Sequence, residues 1–236
     1  TMEADVVRDH KLEVLKCLRP MSPEVVETDV VRAQYSSGFH LGEEVPGYRR
    51  ENGVKADSTT ETYVAMKAYV DNWRWSGVPF YLRTGKRLPK RASEIAVQFK
   101  PVPEVLFNTN PSFPLEPNVL ALRIQPDEGL SMKVMTKRPG PAVRIWPVRM
   151  DFRYDSTYGE QTPEAYERLL LDVMAGDATL FMRRDAVEAS WTWIGHILDV
   201  WQRRKARWLP EYPAGTWGPL EADRLIQADK RQWRTL

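Results

Sequence analysis

The chain has 236 residues, which can bury a substantial core, and its 42% hydrophobic and 28% charged content is ordinary for a globular protein. No apolar stretch approaches the ~20 residues needed to cross a bilayer, and residues 1–16 lack the apolar segment of a signal peptide. Lys and Arg (34) nearly balance Asp and Glu (32), so no overall field would steer a polyanion. The sequence therefore indicates neither a membrane nor a nucleic-acid partner, and any anion site must be local.

The chain begins with one predicted helix and then turns to strands. Apolar residues recur at helical spacing over residues 6–18, and Pro20 and Pro23 are expected to end this helix. Residues 29–35 are typical of a short strand. Residues 36–57 are rich in glycine and charge, which predicts loops.

The middle of the chain predicts a run of consecutive strands. Aromatic and β-branched residues alternate over residues 61–70 and favour a strand, although Ala and Met weaken that prediction. Five more strands are predicted at residues 78–84, 94–100, 119–125, 130–137 and 149–154. Short links between consecutive strands favour antiparallel pairing over strand–helix–strand units.

The last third of the chain predicts helices. They are expected at residues 163–173, where Pro163 suits a first turn, at 185–204, and at 220–226. Strands followed by helices predict an α+β fold, a large and mostly antiparallel sheet with helices packed on one face. No internal repeat is present, and we expect residues 1–236 to form a single domain.

Two neighbouring strands, 119–125 and 130–137, show opposite faces of different character. Alternation places Arg123 and Gln125 on the side opposite Leu122, and Lys133 on the side opposite Val134. One face of the sheet is therefore predicted to be apolar and the other polar and basic. A polar face is most simply a solvated one, and a ligand-binding face is the alternative.

A basic run follows the predicted strand 78–84. It comprises Arg83, Gly85, Lys86 and Arg87, with Lys90 and Arg91 just beyond. Glycine at a strand end lets a ligand approach the backbone, and the cations would suit a phosphate ester. Neither the P-loop pattern nor a Gly-x-Gly-x-x-Gly turn occurs in the chain. From the pattern alone, a solvated basic turn is the simpler explanation of the run, and a phosphate-ester site is the alternative.

No catalytic or metal-binding arrangement is evident from the remaining reactive residues. The single cysteine, Cys17, lies on the apolar side of the first helix and is expected to be structural. His10, His40 and His196 are far apart and do not have the spacing of metal ligands. We expect no metal site and no catalytic residue in this chain.

Several segments resemble the glucose-6-phosphate dehydrogenase family, in order along nearly the whole chain. They include VPGY at 45–48, TTET at 59–62, DNWRWSGVPFYLRTGK at 71–86, LRIQP at 122–126, MK at 132–133, AYERLLLD at 165–172, WGP at 217–219 and AD at 222–223. The resemblance identifies the chain as the sugar-phosphate-binding and dimerisation domain, the C-terminal domain of that family. It implies a large antiparallel sheet with helices on one face and a homodimer formed through the other face.

The resemblance also implies an activity and three substrate contacts. The family is cytoplasmic, belongs to the pentose phosphate pathway, and oxidises glucose 6-phosphate to 6-phosphogluconolactone with NADP. By resemblance, Lys86, Arg91 and Gln125 contact glucose 6-phosphate.

The departures from the family are equally informative. The family's Gly-rich dinucleotide turn, its Arg-Ile-Asp-His-Tyr-Leu-Gly-Lys segment and its histidine base are absent from this sequence, and His10 falls after the position of that base. We therefore expect the chain alone to be inactive, since hydride transfer needs both base and nicotinamide in place.

A second, structural NADP occurs in some members of the family. Arg123 and Lys133 match two of its contacts, but Ala92 and Ala96 stand where that site has basic residues. The sequence therefore disfavours a structural NADP on this chain.

Two alternatives to a dehydrogenase domain remain open. The chain could be a stand-alone sugar-phosphate sensor or partner subunit without catalysis, which would bind glucose 6-phosphate through Lys86. It could instead be a dimerisation module without a ligand, in which case titration with glucose 6-phosphate would give no saturable signal.

Overall fold

A computed structural model describes residues 3–101, 115–141, 144–159, 165–204 and 208–236. Its residues group into two compact units, the first built from residues 1–90 and 165–233 and the second from residues 91–164 and 234–236. The single-domain expectation for residues 1–236 stays a prediction.

The first unit contains five of the described α-helices and six strands. The helices are α1 (Ala4–Lys16), α2 (Pro23–Asp29), α4 (Ala165–Ala175), α5 (Arg184–Arg204) and α6 (Leu220–Gln227). The strands are β1 (Val30–Ser36), β2 (Gly38–His40), β3 (Glu43–Val45), β4 (Tyr63–Tyr69), β5 (Pro79–Gly85) and β10 (Glu211–Pro213). A 3₁₀ helix spans Tyr48–Arg50.

The first unit is built on a four-stranded sheet in the order β10-β1-β4-β5. Strands β1, β4 and β5 are antiparallel neighbours, and the short β10 pairs parallel with β1. In β4, Tyr63, Ala65 and Ala68 are all buried although they alternate between the two faces of the strand. Strand β4 is therefore the buried centre of the sheet, which explains why its sequence is apolar on both sides.

Two core clusters cover the two faces of this sheet. On one face Val30 and Ala68 pack with Val26 of α2 and with Ile197 of α5. On the other face Ala33, Tyr63 and Ala65 pack with Tyr212 of β10 and with Ala222 and Leu225 of α6. Helices α2 and α5 thus pack on one face of the sheet, as expected. The short helix α6 departs from that expectation, because it packs on the opposite face.

Two segments near the start of the first unit differ from the sequence prediction. Pro23 was expected to end a helix, but it opens α2, because proline is tolerated at the first helical position and the Ser22 hydroxyl caps the helix by accepting from the Val25 N–H at 3.3 Å. The predicted loop at residues 36–57 contains the antiparallel hairpin of β2 and β3. The helix predicted at 163–173 is α4, and its first two predicted residues lie outside the described residues.

The second unit is a four-stranded antiparallel sheet in the order β6-β7-β8-β9. Its strands are β6 (Ser93–Gln98), β7 (Val119–Gln125), β8 (Gly129–Lys137) and β9 (Ile145–Arg153), and the short α3 (Tyr154–Tyr158) follows. The register pairs Leu120 with Met132 and Leu122 with Leu130, so the predicted apolar face is confirmed.

We call the side of this sheet that carries Leu120, Leu122, Leu130 and Met132 the apolar face. Six of its large hydrophobic side chains are 41–56% exposed: Ile95, Ile124, Leu130, Trp146, Val148 and Met150.

The α+β class and the mostly antiparallel pairing are confirmed, with the strands divided among two four-stranded sheets and one hairpin. Within the described ranges, no helix is both long and apolar enough to span a membrane.

Candidate functional site

The predicted basic run lies at the end of β5, where the chain leaves the sheet. The β4–β5 ladder ends with Tyr63 opposite Gly85. A side chain at Gly85 would be placed 2.7 Å from the buried Tyr63 ring, so glycine is needed here for close packing and not to admit a ligand. Lys86 is the first residue beyond the ladder.

The backbone of Lys86 is held by hydrogen bonds from two other parts of the sheet. Its N–H donates to the carbonyl of Thr62 at 2.8 Å, and its own carbonyl accepts from the Tyr212 hydroxyl at 2.7 Å. Both backbone polar groups of Lys86 are therefore fixed although Lys86 itself is outside the strand.

The next residue, Arg87, turns the chain away. It has a positive φ of 53°, unusual for a residue other than glycine. Its carbonyl accepts from the Gly215 N–H at 2.7 Å, and its guanidinium pairs with Glu51 at 3.1 Å. The Tyr35 hydroxyl donates to the same carboxylate at 3.0 Å. The turn after β5 is therefore anchored on both sides of the Lys86–Arg87 peptide.

The Lys86 side chain is left available by this arrangement. It is exposed, and its ammonium makes no hydrogen bond or ion pair with any residue that the structure describes. A fixed backbone that carries an unpaired ammonium can donate to an anionic ligand without first breaking an ion pair. Within the basic run, Arg87 forms an ion pair with Glu51. The Cζ atom of Arg83 lies 4.9 Å from the ring centres of Trp217 and Trp233.

Arg91 and Gln125 belong to the second unit and lie at one end of its sheet. Gln125 ends β7 and is paired with Ser93 of β6, two residues after Arg91. Both side chains are exposed and make no hydrogen bond with a described residue. The structure thus brings these two predicted contacts to the same sheet end, while Lys86 lies in the first unit.

Arg123 and Lys133 lie on the polar face of the same sheet, opposite the apolar face. Arg123 pairs with Asp151 at 2.5 Å, and Lys133 pairs with Glu116 at 2.6 Å. Each cation is therefore already matched by a carboxylate, and Ala92 and Ala96 add no charge.

The other reactive residues form no site in the described part of the chain. His10 is exposed and 3.3 Å from Glu13, His196 is exposed on α5, and His40 lies in β2, not in the predicted loop. Cys17 is half-buried at the end of α1. No group of three potential metal ligands occurs among the described residues.

Two residues of the Lys86 environment were missed by the sequence analysis. Thr62, just before β4, and Tyr212 of β10 are buried polar residues that contact the Lys86 backbone. Their hydroxyl groups in otherwise apolar strands were the available signal, but nothing in the sequence shows that residue 212 lies next to residue 86.

The structure therefore defines an α+β domain in which an exposed cation, Lys86, lies just beyond the end of strand β5. The chain belongs to the family described as "Glucose-6-phosphate dehydrogenase, C-terminal domain", which matches residues 1–234. It is 49% identical to the glucose-6-phosphate 1-dehydrogenase of Aggregatibacter actinomycetemcomitans, over 99% of this chain and 46% of that protein. Identity to the Mycolicibacterium smegmatis enzyme is also 49%, over 96% of this chain and 45% of that protein.

Solved structures of the same family have this fold. The crystal structure of the Mycobacterium avium enzyme superposes with a TM-score of 0.79 at 35% identity, covering 99% of this chain and 45% of that one. A glucose-6-phosphate dehydrogenase in complex with its substrate glucose-6-phosphate gives a TM-score of 0.84 at 30% identity, covering 100% of this chain and 46% of that one. The chain thus spans about half the length of the relatives it matches.

Proposed function

We propose that this chain is the C-terminal domain of an enzyme that oxidises glucose 6-phosphate to 6-phosphogluconolactone with NADP. Family membership over residues 1–234 supports this activity, as does the related enzyme that holds glucose 6-phosphate. The observation that carries the proposal is Lys86, whose backbone is fixed from Thr62 and Tyr212 while its ammonium is exposed and unpaired among the described residues.

Lys86 is proposed to donate to glucose 6-phosphate. An ammonium beside a phosphate dianion or a sugar hydroxyl forms a charge-assisted hydrogen bond, which is about twice as strong as a neutral one. Binding the non-reacting part of the substrate orients its C1 carbon for hydride loss, and orientation is a large part of catalysis. The role of this chain is therefore to bind and orient the substrate.

Arg91 and Gln125 are proposed as further substrate contacts. Their shared position at one sheet end and their exposed, unpaired side chains support this role. An arginine can bind two phosphate oxygens at once, and a glutamine amide can donate to a phosphate or a hydroxyl.

The NADP that accepts the hydride is proposed to be held mainly by the part of the longer protein outside this chain. A second, structural NADP on Arg123 and Lys133 is not part of the proposal. Displacing Asp151 and Glu116 from those cations would offset the gain from a phosphate, and Ala92 and Ala96 supply no compensating charge.

The functional assembly is proposed to be a homodimer that pairs through the apolar face. That face exposes six large hydrophobic side chains, and contiguous exposed apolar surface of this kind marks protein interfaces. The balanced charge of the chain supports a partner that is a second copy and not a nucleic acid. We place the enzyme in the cytoplasm and in the pentose phosphate pathway on the strength of its family.

The Lys86→Ala variant tests the substrate role, in the full-length protein that carries this chain. We expect the KM for glucose 6-phosphate to rise roughly tenfold to a hundredfold, because a charge-assisted hydrogen bond to the substrate is lost. The KM for NADP should stay within about twofold, and initial rates of NADPH formation measure both constants.

Lys16→Ala is the matched control. Lys16 is another exposed lysine of the first unit, at the end of α1. The next residue, Cys17, accepts from the Asp71 N–H beyond the opposite end of the β4–β5 ladder from Gly85. Equal KM values for glucose 6-phosphate in Lys86→Ala, Lys16→Ala and the unmodified enzyme would show that Lys86 does not bind the substrate.

A further inference from the structure

Tyr212 joins the buried core of the first unit to the loop that carries Lys86. Its side chain is completely buried, and its hydroxyl donates to the Lys86 carbonyl at 2.7 Å. The Thr62 carbonyl, at 3.2 Å, is a more distant acceptor. The single phenolic proton is therefore directed at the Lys86 peptide.

The Tyr212 ring is held by its strand and by two neighbouring aromatic rings. Strand β10 is fixed to β1 by the parallel pairing of Tyr212 with Tyr35. The Tyr212 ring packs edge-on against Tyr35, with centroids 6.5 Å apart, and in a tilted arrangement against Tyr63, with centroids 5.3 Å apart. Because the ring is buried between these neighbours, its hydroxyl is held at a defined position and usually needs a hydrogen-bond partner.

A directed chain of hydrogen bonds supports this hydroxyl. The Thr62 hydroxyl oxygen accepts from the Tyr35 N–H at 2.9 Å and lies 3.3 Å from the Tyr212 hydroxyl oxygen. Because the Tyr212 proton is used on Lys86, the Thr62 hydroxyl is the donor in this second contact. Burial also raises the pKa of Tyr212, which keeps the phenol protonated as a donor. Residues of β1 and β10, together with Thr62 just before β4, thus fix the Lys86 carbonyl.

The Lys86 carbonyl needs such a partner because the β4–β5 ladder ends one residue earlier, at Gly85. Without a donor, this peptide could rotate about its flanking bonds and carry the Lys86 side chain to a different direction. An error of about 1 Å in the position of a binding group is enough to weaken its action strongly.

We propose that Tyr212 is a positioning residue for Lys86, and that its hydroxyl sets the direction in which the Lys86 ammonium meets glucose 6-phosphate. This inference rests on the proposed substrate role of Lys86. Tyr212 acts through the Lys86 backbone and has no contact with the substrate itself.

Tyr212→Phe in the full-length enzyme tests the inference, since it removes the hydroxyl and keeps the ring. We expect the KM for glucose 6-phosphate to rise about tenfold, with the KM for NADP unchanged, because one buried hydrogen bond is lost at the binding group alone. A purely structural role would lower the thermal midpoint and the active fraction and leave the KM of the remaining enzyme unchanged.

Tyr48→Phe is the matched control. Tyr48 packs on Tyr35 at the rim of the same cluster, with ring centroids 5.7 Å apart, and its hydroxyl has no hydrogen bond to a described residue. Its removal should leave the KM for glucose 6-phosphate unchanged. A similar rise in KM for Tyr48→Phe and Tyr212→Phe would overturn the positioning role.

The double variant Lys86→Ala/Tyr212→Phe decides whether Tyr212 acts through Lys86. If it does, Tyr212→Phe adds no further loss of kcat/KM in the Lys86→Ala background. Equal losses in both backgrounds would refute the positioning role and leave the proposed function intact. No effect of Lys86→Ala alone would instead refute the proposed substrate role.

Glu51→Gln serves if Tyr212→Phe does not fold. Glu51 is half-buried and forms an ion pair with Arg87, the residue after Lys86. We expect Glu51→Gln to raise the KM for glucose 6-phosphate about threefold, and again only when Lys86 is present. An unchanged KM in Glu51→Gln would show that the anchored turn does not position Lys86.

Discussion

Among the described tyrosines, Tyr63 and Tyr81 are those whose pKa the fold raises most clearly. Burial raises the pKa of Tyr63 to about 12. Burial, together with the carboxylate of Asp229, raises the pKa of Tyr81 to about 12 as well. The ordinary tyrosine value is about 10, so both side chains favour the protonated form in the folded state.

This difference predicts a loss of stability at alkaline pH. Between about pH 10 and pH 12 the unfolded chain gives up these protons first, so the free energy of unfolding falls as the pH rises. The stabilisation is fully present below about pH 10. Tyr81→Phe should reduce the slope of this fall, whereas the exposed Tyr158→Phe should not. Urea unfolding at about one-unit steps from about pH 8 upward measures the free energy of unfolding at each pH. Identical slopes of that free energy against pH in the unmodified chain and in Tyr81→Phe would contradict the prediction.

At the level of single residues, the sequence indicated the basic run but could not rank its members. Arg87 and Lys86 are neighbours of the same charge, yet Arg87 is neutralised by Glu51 and Lys86 is unpaired within the described chain. The partner that neutralises Arg87 is 36 residues away in sequence. Which cation is free is decided by tertiary contacts, and no local pattern carries that information.

Among the elements, the end of β5 depends on close packing at Gly85. A methyl group there would lie 2.7 Å from the Tyr63 ring and 3.2 Å from Leu88, and Tyr63 is only 1% exposed. Gly195, in the middle of α5, has open space around its Cα. The two glycines should therefore respond oppositely to the same substitution.

We expect Gly85→Ala to destabilise the fold by about 1–3 kcal/mol, because the core cannot make room for the added methyl group. Gly195→Ala should stabilise it by roughly 0.5–1 kcal/mol, since alanine loses less conformational entropy in a helix. Denaturant midpoints of the two variants measure both effects. An unchanged midpoint for Gly85→Ala would show that Tyr63 is not tightly packed against β5.

The elements with a clear period were predicted well from sequence. The predicted strand at residues 119–125 is β7 without change, and the predicted helix at 185–204 is α5, one residue longer. Helix α2 was missed because Pro23 suits a helix start as well as a stop. Strand β10 was missed because three residues carry no period, and its partner β1 lies far away in sequence.

At the scale of the whole molecule, the apolar face exposes large hydrophobic side chains that the second copy of the proposed homodimer would cover. Met150 is 54% exposed in β9, at the centre of its ladder with β8, opposite Met132. Its neighbour Arg149 points to the other side of the sheet because successive side chains alternate. These two residues give a matched pair for testing the proposed homodimer.

We expect Met150→Arg to convert the dimer to a monomer, because a symmetric interface would bury two unpaired guanidinium groups. Arg149→Gln should leave the dimer intact. Sedimentation equilibrium of the full-length protein measures the change. A dimer that is equally stable in both variants would exclude the apolar face as the interface.

The assignment to a dehydrogenase is tested most directly by assaying the full-length protein that carries this chain for NADP reduction with glucose 6-phosphate. We predict sustained NADPH formation by that protein and none by residues 1–236 alone. Saturable binding of glucose 6-phosphate without any turnover by the full-length protein would contradict it and favour a sugar-phosphate sensor. Sustained turnover by the 236-residue chain alone would contradict it from the other side, since the base and the coenzyme site would then have to lie within this domain.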